Sequence, residues 1–561
     1  MNTTILTESY GKGEEKTPLI EQTIGDCFDA MAEREPDREA LVSRHEGRRL
    51  TYRELQRQAN RLASALLRQG LAPGDRIGIW SHNNVAWVLM QIATAKAGLI
   101  LVNINPAYRA AEVEYALNKV GCKALVTIPR FKTSEYLTML RQLGAAKLPE
   151  LKNIWWIDRD GDADEAGFGI PLARFSTLLA GGDADDPRLA QVRQTLKATD
   201  PINIQFTSGT TGFPKGATLT HRGILNSGFF TGENMLLTPE DRLCIPIPLY
   251  HCFGMVLGNL ACFTHGSTVV YPSETFDPLA TLETVQAEKC TGLHGVPTMF
   301  IAELNHPRFA EFDLATLRTS LMAGAPCPIE VMKRVISDMH VSEMTNGYGL
   351  TEASPGVCGN PIGTPLDKLV STVGKPVQHV EVKVIDPVSG ATVAPGVTGE
   401  LCTRGYSVMQ GYWGDEARTR ETIDAEGWMR TGDLATMDED GYFNIVGRTG
   451  DMVIRGGENI YPREIEEFLY RHPKIQDVQV VGVPDPKYGE ELCAWVIAKP
   501  GQTMSEDEVR AFCQGQIAHY KVPRYIRIVD AFPMTVTGKI QKFRIRQIMA
   551  EQLGLKAART V

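Results

Sequence analysis

Between Thr51 and Gly70 the apolar residues Leu55, Ala59, Leu62, Ala63, Leu66 and Leu67 recur three and four positions apart. That spacing places them on one face of a helix, and Gly70 suits its stop. Arg76-Ile77-Gly78-Ile79-Trp80 then reads as a strand. Residues 85–102 form the most apolar stretch of the chain, interrupted by Lys96 and Gly98. It is too short and mixed to span a bilayer and reads as a helix leading into a buried strand. Further strand-like runs lie at 124–128, 202–206, 268–271 and 382–385, with helical segments between several of them. This alternation predicts an α/β fold with largely parallel sheets. The polar tracts 158–167 and 180–188 read as surface loops.

A chain of 561 residues exceeds what one core usually supports, so two or more domains are expected. Residues 1–25 read as a loose leader, 26–450 as a large N-terminal domain and 451–561 as a compact α+β domain. The leader lacks the apolar core of a secretory signal. Hydrophobic residues make up 43% and charged residues 22%, a globular composition. A net charge of −9 gives a nucleic-acid partner no support. The eleven cysteines include no Cys-x-x-Cys pair, which points to reduced thiols and a cytoplasmic location and away from a disulfide framework or zinc site.

The sharpest chemical signal is Thr207-Ser208-Gly209-Thr210-Thr211-Gly212-Phe213-Pro214-Lys215-Gly216, which follows an apolar strand. Glycines let backbone N–H groups approach an anion, hydroxyls donate to phosphate oxygens, and lysine adds a point charge. It departs from the Walker pattern, because Gly216 rather than Ser or Thr follows Lys215. A Ser/Thr/Gly-rich surface turn is the plain alternative. Six further elements follow in order: Pro248 to Gly254 (PLYHCFG), Gly324-Ala325-Pro326, Asn346 to Glu352 (NGYGLTE), Arg430-Thr431-Gly432-Asp433, Gly447-Arg448 through Asp451 with Gly456-Gly457-Glu458-Asn459, and Thr537-Gly538-Lys539-Ile540.

With these elements the chain resembles, over residues 26–546, the adenylate-forming superfamily: acyl-CoA synthetases, peptide-synthetase adenylation domains and beetle luciferases. In look it is most similar to medium- and long-chain fatty acyl-CoA synthetases. The resemblance implies layered α/β subdomains with a β-rich portion, and a small mobile C-terminal domain. It implies ATP, Mg²⁺ and coenzyme A as cofactors and substrates. Thr207, Ser208, Gly209, Thr210, Thr211, Gly212 and Lys215 would cradle phosphates. Tyr348 would stack on adenine, with Gly324, Ala325, Pro326, Asn346, Gly347 and Gly349 along the nucleotide. Thr351 would hold the α-phosphate, Glu352 the metal, Asp433 the ribose hydroxyls, and Arg448 ribose or phosphate. Lys539 would reach across the domain gap to the reacting groups, Asp451 would be the hinge, and Gly456-Gly457 would line the pantetheine tunnel.

The implied reaction makes an acyl-adenylate and then passes the acyl group to a thiol. Coenzyme A is the expected acceptor; a carrier-protein-loading enzyme and an aryl-acid ligase are the alternatives. His251 is expected to line the acyl-carboxylate site without acting as a base, because a carboxylate is already ionised at neutral pH. Gly254, Gly258 and Gly349 are expected to leave an open acyl pocket, on the premise that 252–262 is a helix with Gly254 and Gly258 on one face. That pocket favours a medium- or longer-chain fatty acid. Small-molecule substrates are the expected partners, with a homodimer possible and no transmembrane segment.

Overall fold

The computed structural model describes residues 6–158, 168–207, 214–448, 450–455, 458–514, 516–535 and 539–554, with the side chains of 458 and 459 left aside. Two large sheets form its body. In the eight-stranded sheet, Leu172–Arg174, Asn153–Trp156, Cys122–Thr127, Arg76–Trp80, Ile100–Asn103 and Pro201–Thr207 run parallel in that spatial order. Lys215–Thr220 and Gly411–Tyr412 extend it antiparallel. In the nine-stranded sheet a parallel centre runs from Glu343–Tyr348 through Thr319–Met322, Gly292–Gly295, Arg242–Cys244 and Thr268–Tyr271 to Glu39–Ser43, with antiparallel strands at both edges.

One continuous core joins the two sheets. At its centre the Val85–Ala97 helix is buried at every position. Such a helix is hydrophobic all round because it has no solvent face. Asn84 caps it by accepting from the Trp87 N–H, and Gly98 ends it at φ 67°, where only glycine sits without penalty. The Tyr52–Arg68 helix instead keeps one apolar face and opens on a capping box of Thr51 and Glu54. Parallel strands end on the same side, so the carboxyl ends in the two sheets, Thr207 in one and Gly295, Met322 and Tyr348 in the other, open on a common cleft.

A third, antiparallel sheet orders Tyr10–Lys12, Val380–Ile385, Gly399–Gly405, Met429–Met437 and Phe443–Arg448. Its first strand corrects the reading of 1–25 as loose: Tyr10 lies opposite Lys383 and Lys12 opposite Glu381. The leader covers an edge that would otherwise carry unpaired backbone groups. Of the tract 158–167, only Asp158 lies within the described residues. In the tract 180–188 the loop ends at Asp186, which is buried and caps the Pro187–Arg193 helix.

The third sheet ends at Arg448 and the small domain's sheet begins at Val453, so Asp451 falls between them. That domain packs the helices Pro462–Leu469, Glu506–Cys513 and Lys542–Gln552 on a five-stranded sheet built around Ile475–Asp485 and Gly489–Ala498. It docks on the large domain through Arg463, whose guanidinium donates to the Ile445 carbonyl at 2.5 Å.

Glu303 is buried in the core of the nine-stranded sheet, and neither carboxylate oxygen has a hydrogen-bond partner. Burial holds its carboxyl well above the ordinary range, so it is protonated in the fold. Stability tied to this group is therefore complete below about pH 4.5 and is lost as pH rises above the unfolded value. Glu303→Met, of similar shape, is expected to be near neutral at pH 4.5 and increasingly stabilising as pH rises toward 8. Chemical denaturation of both proteins across that range checks it; equal pH profiles would contradict it.

Candidate active site

The short helical turn Thr351–Ala353 follows the Glu343–Tyr348 strand and delivers Thr351 and Glu352 to the cleft. Glu352 Oε1 accepts from Thr207 Oγ1 at 2.9 Å and from the Tyr412 hydroxyl at 3.0 Å. The Tyr412 hydroxyl in turn accepts from Lys215 Nζ at 3.0 Å, and the ammonium lies 4.4 Å from the ring centre. Desolvation lowers the Lys215 pKa from its ordinary value, against the pull of Glu352.

On the other side of the cleft, Asp433 lies opposite Arg448 in the antiparallel sheet, and Arg448 Nε donates to Asp433 Oδ1 at 3.0 Å. Asp433 Oδ2 accepts from the Tyr348 hydroxyl at 2.5 Å. Burial raises the Asp433 carboxyl, opposed by Arg448 and Tyr348. The Tyr348 phenol stands well above its usual value because it is buried and faces Asp433. This pair fixes the Tyr348 ring as a wall of the cleft.

Lys539 comes from the small domain. Met534 and Ile540 pair as a bridge, Thr535 N donates to the Lys539 carbonyl at 2.7 Å, and Lys539 N donates to Thr535 Oγ1 at 3.1 Å. This frame points Lys539 into the cleft. Solvent reaches its side chain, yet protein rings it, and that desolvation lowers its pKa; Cys252, Asp433 and Glu352 pull it up and Arg448 pushes it down. His251 and Cys252 form the floor beneath it. Burial lowers the His251 pKa to about 3, with Lys539 adding to the effect, so the ring is neutral and a poor base near pH 7. Cys252 Sγ lies 3.7 Å from Thr351 Oγ1.

Glu352 is the residue suited to a divalent cation. One oxygen is oriented by two hydroxyls, and a hard cation prefers such an oxygen donor. Among the described residues no group of three His, Cys, Asp or Glu side chains forms a metal cage. That fits Mg²⁺, which takes most of its ligands from phosphate and water.

Several expected site residues stand elsewhere or otherwise. Ser208, Gly209, Thr210, Thr211, Gly212, Gly456 and Gly457 lie outside the described residues. Gly324, at φ 85°, and Gly347 line the cleft with backbone; Ala325 and Pro326 are exposed beside Gly324. Asp451 is half-buried, and its N–H donates to the Arg448 carbonyl at 3.0 Å. Asn346 lines the cleft, with its side chain engaged within the fold. Its amide donates to the Leu369 and Thr372 carbonyls at 2.9 Å, and its oxygen accepts from Asn360, so the side chain braces the fold and has no donor left for a nucleotide.

The open-pocket reading of Gly254, Gly258 and Gly349 is corrected. Residues Phe253–Leu260 form a π-helix, with α-helix only from Ala261 to His265. A Cβ on Gly349 would sit 1.3 Å from the Pro355 carbonyl oxygen, and one on Gly254 would sit 2.6 Å from the Pro248 carbonyl oxygen. On Gly258 it would meet Ile245 at 2.9 Å. Gly254 and Gly258 permit close packing; Gly349 lines the cleft, but its Cβ direction is filled by the Pro355 carbonyl. Met255 and Val256 belong to the core, whereas Leu257 lines the cleft with Ile247, Val296 and Leu321. Cys252 falls within the Pro248–Gly254 motif, whereas Tyr412 carries no recognisable sequence signal and reaches Lys215 and Glu352 only through sheet pairing.

The cleft thus presents lysines from two domains, a carboxylate suited to a cation, and an aromatic wall with an acid beside it. These are the parts of a nucleotide-handling enzyme. The sequence profile of the AMP-binding enzyme family matches residues 28–413, and that of the AMP-binding enzyme C-terminal domain matches 464–539. The chain belongs to the AMP-binding enzyme family. It is 46% identical to the mitochondrial medium-chain acyl-CoA ligase ACSF2 of Danio rerio, over 98% of this chain and 92% of that one. It is 45% identical to the putative acyl-CoA synthetase YngI of Bacillus subtilis (strain 168), over 96% and 99%. Among solved structures, the anthranilate CoA ligase AuaEII in complex with anthranoyl-AMP superposes with a TM-score of 0.85 at 27% identity, covering 96% of this chain and 99% of that one.

Gly349→Ala is expected to destabilise the protein by about 3 kcal/mol, the upper end of the usual overpacking cost, because the added methyl meets rigid backbone. Thermal unfolding measures it. A variant of unchanged stability with a shifted chain-length preference would restore the open-pocket reading.

Proposed function

We propose that the protein is an ATP-dependent carboxylate–CoA ligase whose acid is a medium-chain fatty acid. The observation that carries the proposal is Lys539 of the small domain standing in one cleft with Thr351 of the large one, within electrostatic reach of Glu352 and Asp433. In the first half-reaction a carboxylate oxygen of the acid attacks the α-phosphorus of ATP in line. The bond to the bridging oxygen breaks, and acyl-AMP and pyrophosphate form. Lys539 and Lys215 offset the negative charge that builds on the phosphates, and the Thr351 hydroxyl orients the α-phosphate. Mg²⁺ held through Glu352 would neutralise phosphate charge when bound. Asp433 is placed to accept from ribose hydroxyls beside the Tyr348 wall.

In the second half-reaction the CoA thiolate attacks the acyl carbonyl, and AMP leaves with the electron pair of the mixed anhydride. The thiol proton passes to water. Lys539 enters the cleft from a separate domain joined beside Asp451, so a rotation there would remove it from the path of the thiol.

The apolar lining of Ile247, Leu257, Val296 and Leu321 supports an aliphatic acid, with about 0.8 kcal/mol gained per buried methylene. The names of the curated relatives agree with this. An aryl acid is the second reading, favoured by the superposition on an anthranilate CoA ligase. All eleven cysteines are unpaired, which supports a reducing, cytoplasmic location.

Three measurements test the proposal. Octanoate is expected to exceed acetate, palmitate and benzoate in CoA-dependent AMP formation; a preference for benzoate would establish the aryl reading instead. Lys539→Ala is expected to slow adenylate formation at least about 100-fold while sparing thioester formation from synthetic acyl-AMP and CoA; equal losses in both would contradict the division of labour. The lowered lysine pKa has a sign. The ammonium is the working form and is lost as pH rises through its folded value, so kcat/KM for ATP should fall on the alkaline side below the ordinary lysine value. Activity that holds through pH 10.5 would contradict it.

A further inference from the structure

Tyr412 belongs to none of the elements that point to nucleotide chemistry. Its two-residue strand, Gly411–Tyr412, pairs with Lys215–Thr220, and Tyr412 lies opposite Ala217. The backbone is pinned on both sides: Gln410 N donates to the Thr218 carbonyl at 3.0 Å, and Trp413 N donates to the Gly216 carbonyl at 2.8 Å. Tyr412 N itself donates to Thr419 Oγ1 at 2.9 Å. The phenol therefore has a fixed origin at the edge of one sheet, and its hydroxyl ends at the carboxylate that the other sheet delivers.

At that point the hydroxyl bridges opposite charges. It donates its proton to Glu352 Oε1 and accepts from Lys215 Nζ, each at 3.0 Å. An ammonium and a carboxylate hydrogen-bonded to one hydroxyl are near neighbours, and in a cleft their attraction is screened less than on the surface. A direct pair would cancel the positive charge meant for phosphate and cover the oxygens meant for a cation. The bridging hydroxyl takes only one of the ammonium's three N–H donors and one acceptor position of one carboxylate oxygen. The ring under the ammonium stabilises the lysine in this retracted position without adding a formal charge.

We infer that Tyr412 is a positioning residue, a neutral spacer that keeps Lys215 and Glu352 apart and available until ATP and its metal arrive. The inference rests on the proposed roles of Lys215 and Glu352 in adenylation.

Tyr412→Phe keeps the ring and removes the hydroxyl. In acid-dependent pyrophosphate exchange, the half-saturating Mg²⁺ concentration and the KM for ATP should each rise about tenfold, the effect of losing one charge-assisted hydrogen bond. The kcat at saturation should change less. Thioester formation from synthetic acyl-AMP and CoA should stay at the parent rate, and the melting temperature should stay within about 2 °C. Because the hydroxyl acts through Glu352, adding Tyr412→Phe to Glu352→Gln should cost little beyond Glu352→Gln alone. Unchanged Mg²⁺ and ATP dependence in an active variant would overturn the inference while leaving the ligase reading intact. So would equal losses in both half-reactions with a lower melting temperature, which would make the hydroxyl a support of the fold. Fully additive effects in the double variant would overturn it as well. A parent enzyme without any acid-dependent exchange would overturn the ligase reading, and the inference with it.

Discussion

The carboxylate of Glu352 joins two sheets that share no strand. Its oxygen is reached by Thr207 at the end of one parallel sheet and by Tyr412 at that sheet's far edge, while its own backbone follows the last parallel strand of the other sheet. The arrangement is possible because both sheets point their carboxyl ends at one cleft, on either side of a helix with no solvent-facing side. The carboxylate is mostly buried and held by neutral hydroxyls rather than by a direct ion pair with a cation of the protein. A site that must receive a polyanion and a metal needs that separation of charge.

The second organising feature is the division of positive charge between domains. Lys215 lies in the body of the protein, at the start of the Lys215–Thr220 strand, whereas Lys539 is presented by the small domain from the Met534–Ile540 bridge. Desolvation lowers the pKa of both lysines, so each gains from a bound anion.

Much of the architecture was legible along the chain. The period of three and four between Leu55 and Leu67 gave a helix ending at Arg68, and the largely apolar stretch from Val85 gave a buried helix followed by the Ile100–Asn103 strand. These are local signals, in which neighbours in sequence are neighbours in space. The runs of glycine, hydroxyl and charged residues also marked the loops around the cleft, because such compositions are costly anywhere except at turns and binding surfaces. What a glycine is for was not legible. At Gly349 the missing side chain makes room for the Pro355 carbonyl, and a missing Cβ looks the same in sequence whether backbone or substrate fills the space. The amide of Asn346, read as a nucleotide contact, is taken up by the carbonyls of Leu369 and Thr372, partners that sequence spacing does not reveal.

The sequence by itself determined the family, the α/β class, the division into a large and a small domain, and the residue types offered to phosphate and cation. Each of these depends on composition and on short-range order. The tertiary structure alone decided that Tyr10–Lys12 closes a sheet edge, that 253–260 winds as a π-helix, that three glycines are packing contacts, and that Tyr412 stands between Lys215 and Glu352. All four depend on contacts between backbone segments or side chains whose meeting is set by sheet register and layer packing, and a linear pattern holds no record of which segments will meet.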